Sequence, residues 1–172
     1  MANKHWQMMS GARKNIPCAS SRPFPAAKRC YILTSVVGNC FYQVEHSAMI
    51  LIVDDDAGMG ASLERLLRVI GYNAVAIPSA MEALSLLGVR RPELIIVDMH
   101  MPGGMDGMMF LRAVRQDDEF AEVPIWVYSV DFSDSLVREA KRSGAQEYLV
   151  KGAIGYSALA SRVETLLGKP GK

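Results

Sequence analysis

Cysteine is absent beyond Cys40, and no hydrophobic run approaches the length of a membrane span. The three cysteines, Cys18, Cys30 and Cys40, have spacings that match no metal motif, and an odd number makes a poor disulfide framework. A long cysteine-free remainder suits a reducing compartment, so we expect a cytoplasmic protein. Because the chain lacks the ~20 consecutive apolar residues of a spanning helix, we expect no membrane segment.

The chain also lacks a strong excess of charge of one sign, with 19 Lys/Arg against 18 Asp/Glu. The charges are unevenly spread. Residues 1–48 hold six basic residues and one acid, whereas residues 49–172 hold thirteen basic and seventeen acidic residues. The longer part is therefore mildly acidic and lacks the basic composition typical of nucleic-acid binding, so we expect no direct contact with nucleic acid.

Residues 1–48 mix Pro, Ser, Lys and Cys without a clear period, and we predict a poorly ordered N-terminal extension. Within it, YILTSVVGNCFY is apolar enough for one strand or short buried helix. A secretory signal or a transit peptide is an alternative, but the charged region is long and no small-x-small cleavage site follows cleanly. Because composition changes at Met49, a further hypothesis is that the native chain begins there.

From Met49 on, short apolar runs alternate with helical patterns. The runs MILIV, NAVAI, ELIIV, VPIWVYS and EYLV suit strands buried on both faces. Apolar residues at helical spacing follow each run and predict five helices, the second opened by a capping box of Ser79 and Glu82. Five strand–helix units predict a parallel sheet in one α/β domain, where ligands bind at the carboxyl ends of the strands.

Polar side chains follow four of these strands directly. Since the carboxyl ends of parallel strands meet at one edge of a sheet, we expect these side chains to converge. Asp54–Asp56 follow the first strand and Asp98 follows the third. Ser129 follows PIWVY at the end of the fourth run, and Lys151 follows the fifth.

Crowded carboxylates repel each other unless a cation lies among them. Mg²⁺ suits such a cluster, because it prefers oxygen ligands and needs only one or two carboxylates. We predict Asp54 and Asp55 as ligands, with Asp98 as the third carboxylate of the site. Asp56 is predicted to begin the following helix, where a carboxylate favours the positive end of the helix dipole.

Asp98 can also act as a nucleophile toward phosphorus and form an acyl phosphate. Phosphoryl transfer depends on charge neutralisation and positioning, which Mg²⁺, Lys151 and a hydrogen bond from Ser129 would supply. Each feature alone has a plainer explanation: acids after a strand often begin a helix, such a lysine is usually solvated, and such a serine usually bonds backbone. Their occurrence together at one sheet edge favours a shared site.

The motifs ILIVDDD, LIIVDMHMPGGMDG, PIWVYS and GAQEYLVKG together resemble the receiver domain of response regulators in two-component signalling, of the stand-alone, single-domain type. The likeness covers residues 49–168 and leaves residues 169–172 as a tail. It implies a flavodoxin-like (βα)5 three-layer sandwich with strand order 2-1-3-4-5. It also implies Mg²⁺ at the predicted carboxylates, with the main-chain carbonyl of His100 as a further ligand.

The resemblance further implies that Asp98 accepts a phosphoryl group from a histidine kinase or a histidine phosphotransfer protein. Self-catalysed phosphorylation and dephosphorylation would be its only enzymatic activity. Ser129 and Tyr148 would then switch the face made by the fourth helix, fifth strand and fifth helix. As no helix-turn-helix or enzymatic segment follows, we expect output through a separate protein, as a binding regulator or as a phosphorelay carrier. A homodimer through the same face is also open.

The sequence departs from the family pattern at several positions. The loop MPGGMDG is one residue longer than usual, Gly152 replaces the usual proline after the lysine, and Val130 is larger than the usual residue, which predicts narrower phosphoryl access. His100 and Asp131 occupy positions that tune hydrolysis in the family.

Two other functional classes are alternatives to the phosphoacceptor. One is a non-phosphorylated pseudo-receiver that serves only for docking, against which the complete set of polar site residues argues. The other is a phosphohydrolase with an Asp nucleophile, which usually carries a second Asp two residues later as acid/base. This chain has His100 there.

Overall fold

A computed structural model describes residues 49–170, and all structural statements refer to this part of the chain. The predictions for residues 1–48 lie outside it. Strands and helices alternate throughout, as the apolar runs predict. The elements are β1 Met49–Val53, α1 Ala57–Val69, β2 Asn73–Ile77, α2 Ala80–Leu87, β3 Leu94–Val97, α3 Gly107–Arg115, β4 Ile125–Ser129, α4 Asp134–Arg142, β5 Glu147–Val150 and α5 Tyr156–Leu167, with a 3₁₀ turn at Asp118–Phe120.

The five strands form one parallel sheet in the order β2-β1-β3-β4-β5, which confirms the flavodoxin-like arrangement. Val53 at the end of β1 lies beside Ile77 of β2 and Val97 of β3. At the other side of the sheet, Ser129 of β4 lies beside Val150 of β5. This register aligns the carboxyl ends of the strands, so the residues that follow them meet at one edge.

Two apolar clusters, one on each face of the sheet, form the core. Leu51 and Val53 of β1 belong to the cluster that α2, α3 and Ala140 of α4 cover. Ile50 and Ile52 belong to the cluster on the other face, which α1 and α5 cover. Successive side chains of a strand point to opposite faces, so a run that is apolar at every position requires cover on both sides. The result is the predicted three-layer sandwich.

The helix starts show where local sequence signals hold and where they fail. Asp56 caps α1 as predicted, since its Oδ1 accepts hydrogen bonds from the amides of Gly58 at 2.8 Å and Met59 at 3.1 Å. Ser79 does precede α2, but its side chain makes no capping hydrogen bond, so the capping-box prediction is wrong in that detail. Met81 and Glu82 in the first turn of α2 are exposed, so amides on that side can bond water instead, whereas Ala80 and Ala83 are buried. No described helix has the length and apolar character needed to cross a membrane.

Candidate functional site

Lys151 joins the two buried carboxylates at the carboxyl edge of the sheet. Its Nζ lies 2.8 Å from Oδ2 of Asp54 and 2.6 Å from Oδ2 of Asp98. The side chains of all three residues are at most 8 % exposed. The main chain of Lys151 is fixed as well, because its amide donates to the carbonyl of Ser129 at 2.8 Å. The sheet register thus assembles residues 97 positions apart in sequence.

Burial and nearby charges shift the pKa values of Asp54 and Lys151 in opposite directions. Burial raises the pKa of Asp54, and the hydrogen bond and charge of Lys151 offset the rise only in part. Burial disfavours the charged ammonium of Lys151, but its bonds to Asp54 and Asp98 outweigh that effect and raise its pKa. Lys151 is therefore a positively charged group between two carboxylates. Burial disfavours the charged form of one of them, Asp54.

Three carboxylates come close enough to share one cation. One oxygen each of Asp54, Asp55 and Asp98 lies within 4.8 Å of the others, with Asp55 exposed and the other two buried. Mg²⁺ prefers oxygen ligands such as these and keeps several of its waters when bound. The exposed side of the cluster, at Asp55, leaves room for those waters. The amide of His100 donates to Oδ1 of Asp98 at 3.3 Å, so the main chain at His100 lies beside this cluster. Asp56 takes no part, because its carboxylate caps α1.

Ser129 is a buried hydroxyl that lacks a partner. Its side chain is fully buried, and its Oγ makes no hydrogen bond of ordinary geometry to any described atom, although the Tyr148 hydroxyl lies near it. An unsatisfied buried polar group costs about 1–3 kcal/mol, which calls for an explanation such as an incoming ligand. Ser129 ends β4, two strands from Asp54 and next to the strand that Asp98 follows.

Tyr148 is tied to the loop that follows Ser129. Its hydroxyl donates to the main-chain carbonyl of Asp131 at 2.6 Å, and its ring packs against the core. Burial raises the pKa of Tyr148, and the nearby charge of Asp131 adds to the rise. The hydroxyl is therefore a donor at neutral pH, and its bond links β5 to the β4–α4 loop.

Two site residues were missed by the sequence analysis. The ring of Tyr128 lies beneath Lys151, with 5.7 Å from Nζ to the ring centroid, a distance suited to a cation–π contact. Gly107 presses against the main chain of Asp98, because a Cβ on it would lie 1.9 Å from the Asp98 carbonyl oxygen. An aromatic inside a strand resembles any core residue, so only the position of Gly107 at the end of DMHMPGGMDG was a usable signal.

The departures from the family pattern have clear structural outcomes. Gly152 adopts φ of 82°, a left-handed conformation that glycine takes without strain, directly after Lys151. Val130 is 62 % exposed, so much of its surface faces solvent beside the buried Ser129. Narrower phosphoryl access at Val130 stays a prediction.

Comparison with known proteins agrees with this fold. The family model of the response regulator receiver domain matches residues 50–164, and the chain belongs to this family. The transcriptional regulatory protein PrrA of Mycobacterium tuberculosis is 36 % identical over 125 residues, covering 73 % of this chain and 52 % of PrrA. The chemotaxis protein CheY of Pseudomonas aeruginosa is 33 % identical over 103 residues, covering 59 % of this chain and 82 % of CheY.

Solved structures agree with the fold as well. Vibrio cholerae CheY4 superposes with a TM-score of 0.65 at 28 % identity, covering 69 % of this chain and 98 % of that one. A receiver domain of a Syntrophus aciditrophicus histidine kinase gives a TM-score of 0.64 at 29 % identity, covering 70 % and 89 %. The match to PrrA spans about half of that protein's length.

Mg²⁺ is expected to stabilise the folded protein. At ten times its Kd, an ion that binds only the folded state adds about 1.4 kcal/mol to the free energy of unfolding. Asp55→Asn should remove most of this gain with little effect in EDTA, because Asp55 is exposed. Urea unfolding with Mg²⁺ and with EDTA measures both. The control Asp56→Asn keeps the helix cap and should keep the gain. An equal gain in the Asp55 variant would contradict the ligand assignment.

Proposed function

We propose that this protein is a phosphoacceptor receiver, in which Asp98 accepts a phosphoryl group from a phosphohistidine of a histidine kinase or phosphotransfer protein. The observation that carries the proposal is the buried Asp98 carboxylate, 2.6 Å from Lys151 Nζ and grouped with two further carboxylates. Oxygens of the three acids lie within 4.8 Å of one another, whereas Lys151 pairs with only Asp54 and Asp98. A purely structural cluster is not expected to crowd acids in this way, since burial already raises the pKa of Asp54. A cytoplasmic location is part of the proposal.

The proposed reaction is a displacement at phosphorus. An oxygen of Asp98 forms the new O–P bond while the P–N bond of the donor breaks, and the electron pair stays on the imidazole nitrogen. Lys151 holds its charge beside the phosphoryl oxygens, and the edge of the sheet fixes the carboxylate in place. Asp54, Asp55, Asp98 and the His100 carbonyl would hold Mg²⁺. When bound, it would supply positive charge against the phosphoryl oxygens.

Ser129 and Tyr148 would transmit a conformational change from the phosphoryl group to the surface of the protein. The unpartnered Oγ of Ser129 is suited to donate to a phosphoryl oxygen, which would satisfy a buried group that is otherwise unbonded. Any movement of Ser129 carries the loop with Asp131, whose carbonyl accepts the hydrogen bond of Tyr148. The two residues are therefore mechanically linked, and the resulting change lies on the face formed by α4, β5 and α5.

We assign the output to a separate protein that binds this α4–β5–α5 face. The assignment is supported by α4, where only Ala140 of nine residues is buried, so most of the helix surface is free for a partner. A second copy of the chain on the same face would give a homodimer. A relay carrier would instead return its phosphoryl group to another histidine protein.

Beryllofluoride, a mimic of the phosphoryl group, tests the proposal with amide NMR of the full chain. With Mg²⁺ we expect large shifts at Ser129, Val130 and Lys151, followed by shifts along α4 and at Tyr148. The matched variant Asp98→Asn should show the Mg²⁺ response without the beryllofluoride response. Shifts confined to Asp54–Asp56 in the wild type, identical with and without beryllofluoride, would refute the switch and point to the pseudo-receiver.

A further inference from the structure

An open groove of about 690 Å³ lies between the β3–α3 loop and α4, and we call it the α3–α4 groove. It is separate from the α4–β5–α5 face, because its walls are the loop after Asp98 and the opposite side of α4. Its volume falls within the range of small-ligand sites, and its open shape leaves room for a segment that lies across it. It shares His100 and Asp131 with the proposed phosphoryl site and switch, whereas its other lining residues take no part in the proposed phosphoryl transfer.

The floor of the α3–α4 groove is apolar and rich in methionine. Met99, Met101 and Met108 line it together with Leu136 of α4. The three methionines are between 5 % and 9 % exposed, so they present edges to the groove and keep their bulk in the core. Methionine is unbranched and polarizable, and methionine-lined surfaces adapt to apolar faces of differing shape.

The rim of the α3–α4 groove is acidic. Asp106, Asp131 and Glu139 line it, and no lining residue in the described part of the chain is Lys or Arg. Glu139 is paired with the exposed Arg112 at 2.7 Å, which offsets part of its charge. His100 also lines the groove, and its charge interacts with Asp131. Within residues 49–170, Asp106 and Asp131 are the carboxylates without a basic side-chain pair that the proposal uses.

Hydrogen bonds to the main chain hold both of those carboxylates in place. Oδ1 of Asp106 accepts from the amide of Met109 at 2.7 Å, and Oδ1 of Asp131 accepts from the amide of Ser133 at 2.8 Å. Their positions on the rim are therefore set before any partner arrives. Preorganised charges of one sign above an apolar floor complement a partner that is apolar on one face and positive at its edges.

We propose that the α3–α4 groove is a docking site for a basic amphipathic helix of a partner protein. Apolar side chains at i, i+3, i+4 and i+7 would lie on the methionine floor, and flanking Lys or Arg would meet Asp106 and Asp131. An extended acidic segment would be repelled by the same rim. Docking requires no phosphorylation, because both the floor and the rim exist in the unmodified protein, although the proposed switch would move the loop that carries Asp131.

Fluorescence anisotropy tests the proposal on the full chain, without Mg²⁺ or phosphodonor. The probe is a labelled synthetic helix of about five turns, with Leu on one face and Lys on the other. A twin with Glu for Lys and a scrambled peptide of the same composition serve as comparison probes. We expect the basic amphipathic peptide to bind at least about tenfold more tightly than either, and its binding to weaken as salt is raised.

Variants of the protein test whether the peptide binds in the α3–α4 groove. The double variant Asp106→Asn/Asp131→Asn keeps both main-chain hydrogen bonds but removes two charges, and should weaken the peptide about fivefold or more. Asp117→Asn/Asp118→Asn, on the 3₁₀ turn, is matched in charge and should change nothing. Leu136→Gln should weaken binding, whereas Leu166→Gln on α5 should not.

Three results would overturn the proposal. Equal binding of the basic and acidic twins would exclude charge recognition by the rim. Equal effects of the two Asp double variants would place the peptide elsewhere. Light scattering that reveals a dimer of the chain, abolished by Leu136→Gln, would mean that a second copy is the occupant of the groove.

Discussion

Lys151→Met is expected to destabilise the protein by about 3 kcal/mol or more in EDTA, because it leaves buried charges without their partner. Asp54 and Asp98 both contact Lys151 Nζ, at 2.8 and 2.6 Å, and both are almost fully buried. Without the ammonium these carboxylates face each other uncompensated. Mg²⁺ should restore part of the loss, since it would supply positive charge to the same carboxylates. Urea unfolding with Mg²⁺ and with EDTA gives both quantities.

The pH dependence of the Lys151→Met variant has a definite sign. Burial raises the folded-state pKa of Asp54 above 3.8, so the folded protein binds this proton more tightly than the unfolded chain. Asp54 therefore opposes folding increasingly as the pH rises through the raised pKa. Lys151 limits this effect, so its removal should cost less stability in acid than at neutral pH. The exposed Lys169→Met is the control and should cost little at any pH. A similar loss in both variants would contradict the account of the cluster.

Gly107→Ala is expected to cost about 2–3 kcal/mol of stability and to slow phosphorylation, because its methyl group has no room. The added Cβ would lie 1.9 Å from the carbonyl oxygen of Asp98 and 2.8 Å from Cα of Met99. Both neighbours are main-chain atoms, so relief requires a shift of the backbone that carries the nucleophile. A shift of this kind should reduce the phosphorylation rate by about tenfold or more.

Gly155→Ala is the matched control for Gly107→Ala. A Cβ at Gly155 meets no atom within 4 Å, and its φ of −75° suits alanine. Replacing this glycine N-cap by alanine should cost about 0.5–1 kcal/mol, less than the clash at Gly107. Unfolding measurements and phosphorylation rates on the two variants separate the contact from general effects of alanine. Wild-type rates in a stable Gly107→Ala protein would show that Asp98 is not positioned by this contact.

The sequence predicts the candidate site well because its information is local. Four apolar runs end in Asp54, Asp98, Ser129 and Lys151, and parallel pairing alone brings such residues to one edge. The order of the strands does not follow from these runs. It came from the resemblance to receiver domains, and the sheet order β2-β1-β3-β4-β5 confirms it.

The contacts that sequence reasoning missed depend on distances across the fold. Gly107 meets Asp98 only because α3 begins against the end of β3, and Tyr128 lies beneath Lys151 only because β4 and β5 are neighbours. Neither contact has a local pattern. The capping box at Ser79 failed for the opposite reason. A local pattern was present, but the exposed side of the first turn, at Met81 and Glu82, can bond water instead.

The most direct test of the account is intact-mass analysis after incubation with acetyl phosphate, with and without Mg²⁺. We predict a mass gain of one phosphoryl group in the wild type, dependent on Mg²⁺ and absent in Asp98→Asn. Asp98 is the only one of the clustered carboxylates that the proposed chemistry modifies, so the variant isolates it. No gain in a folded wild type that also fails to bind Mg²⁺, or an equal gain in Asp98→Asn, would contradict the phosphoacceptor function.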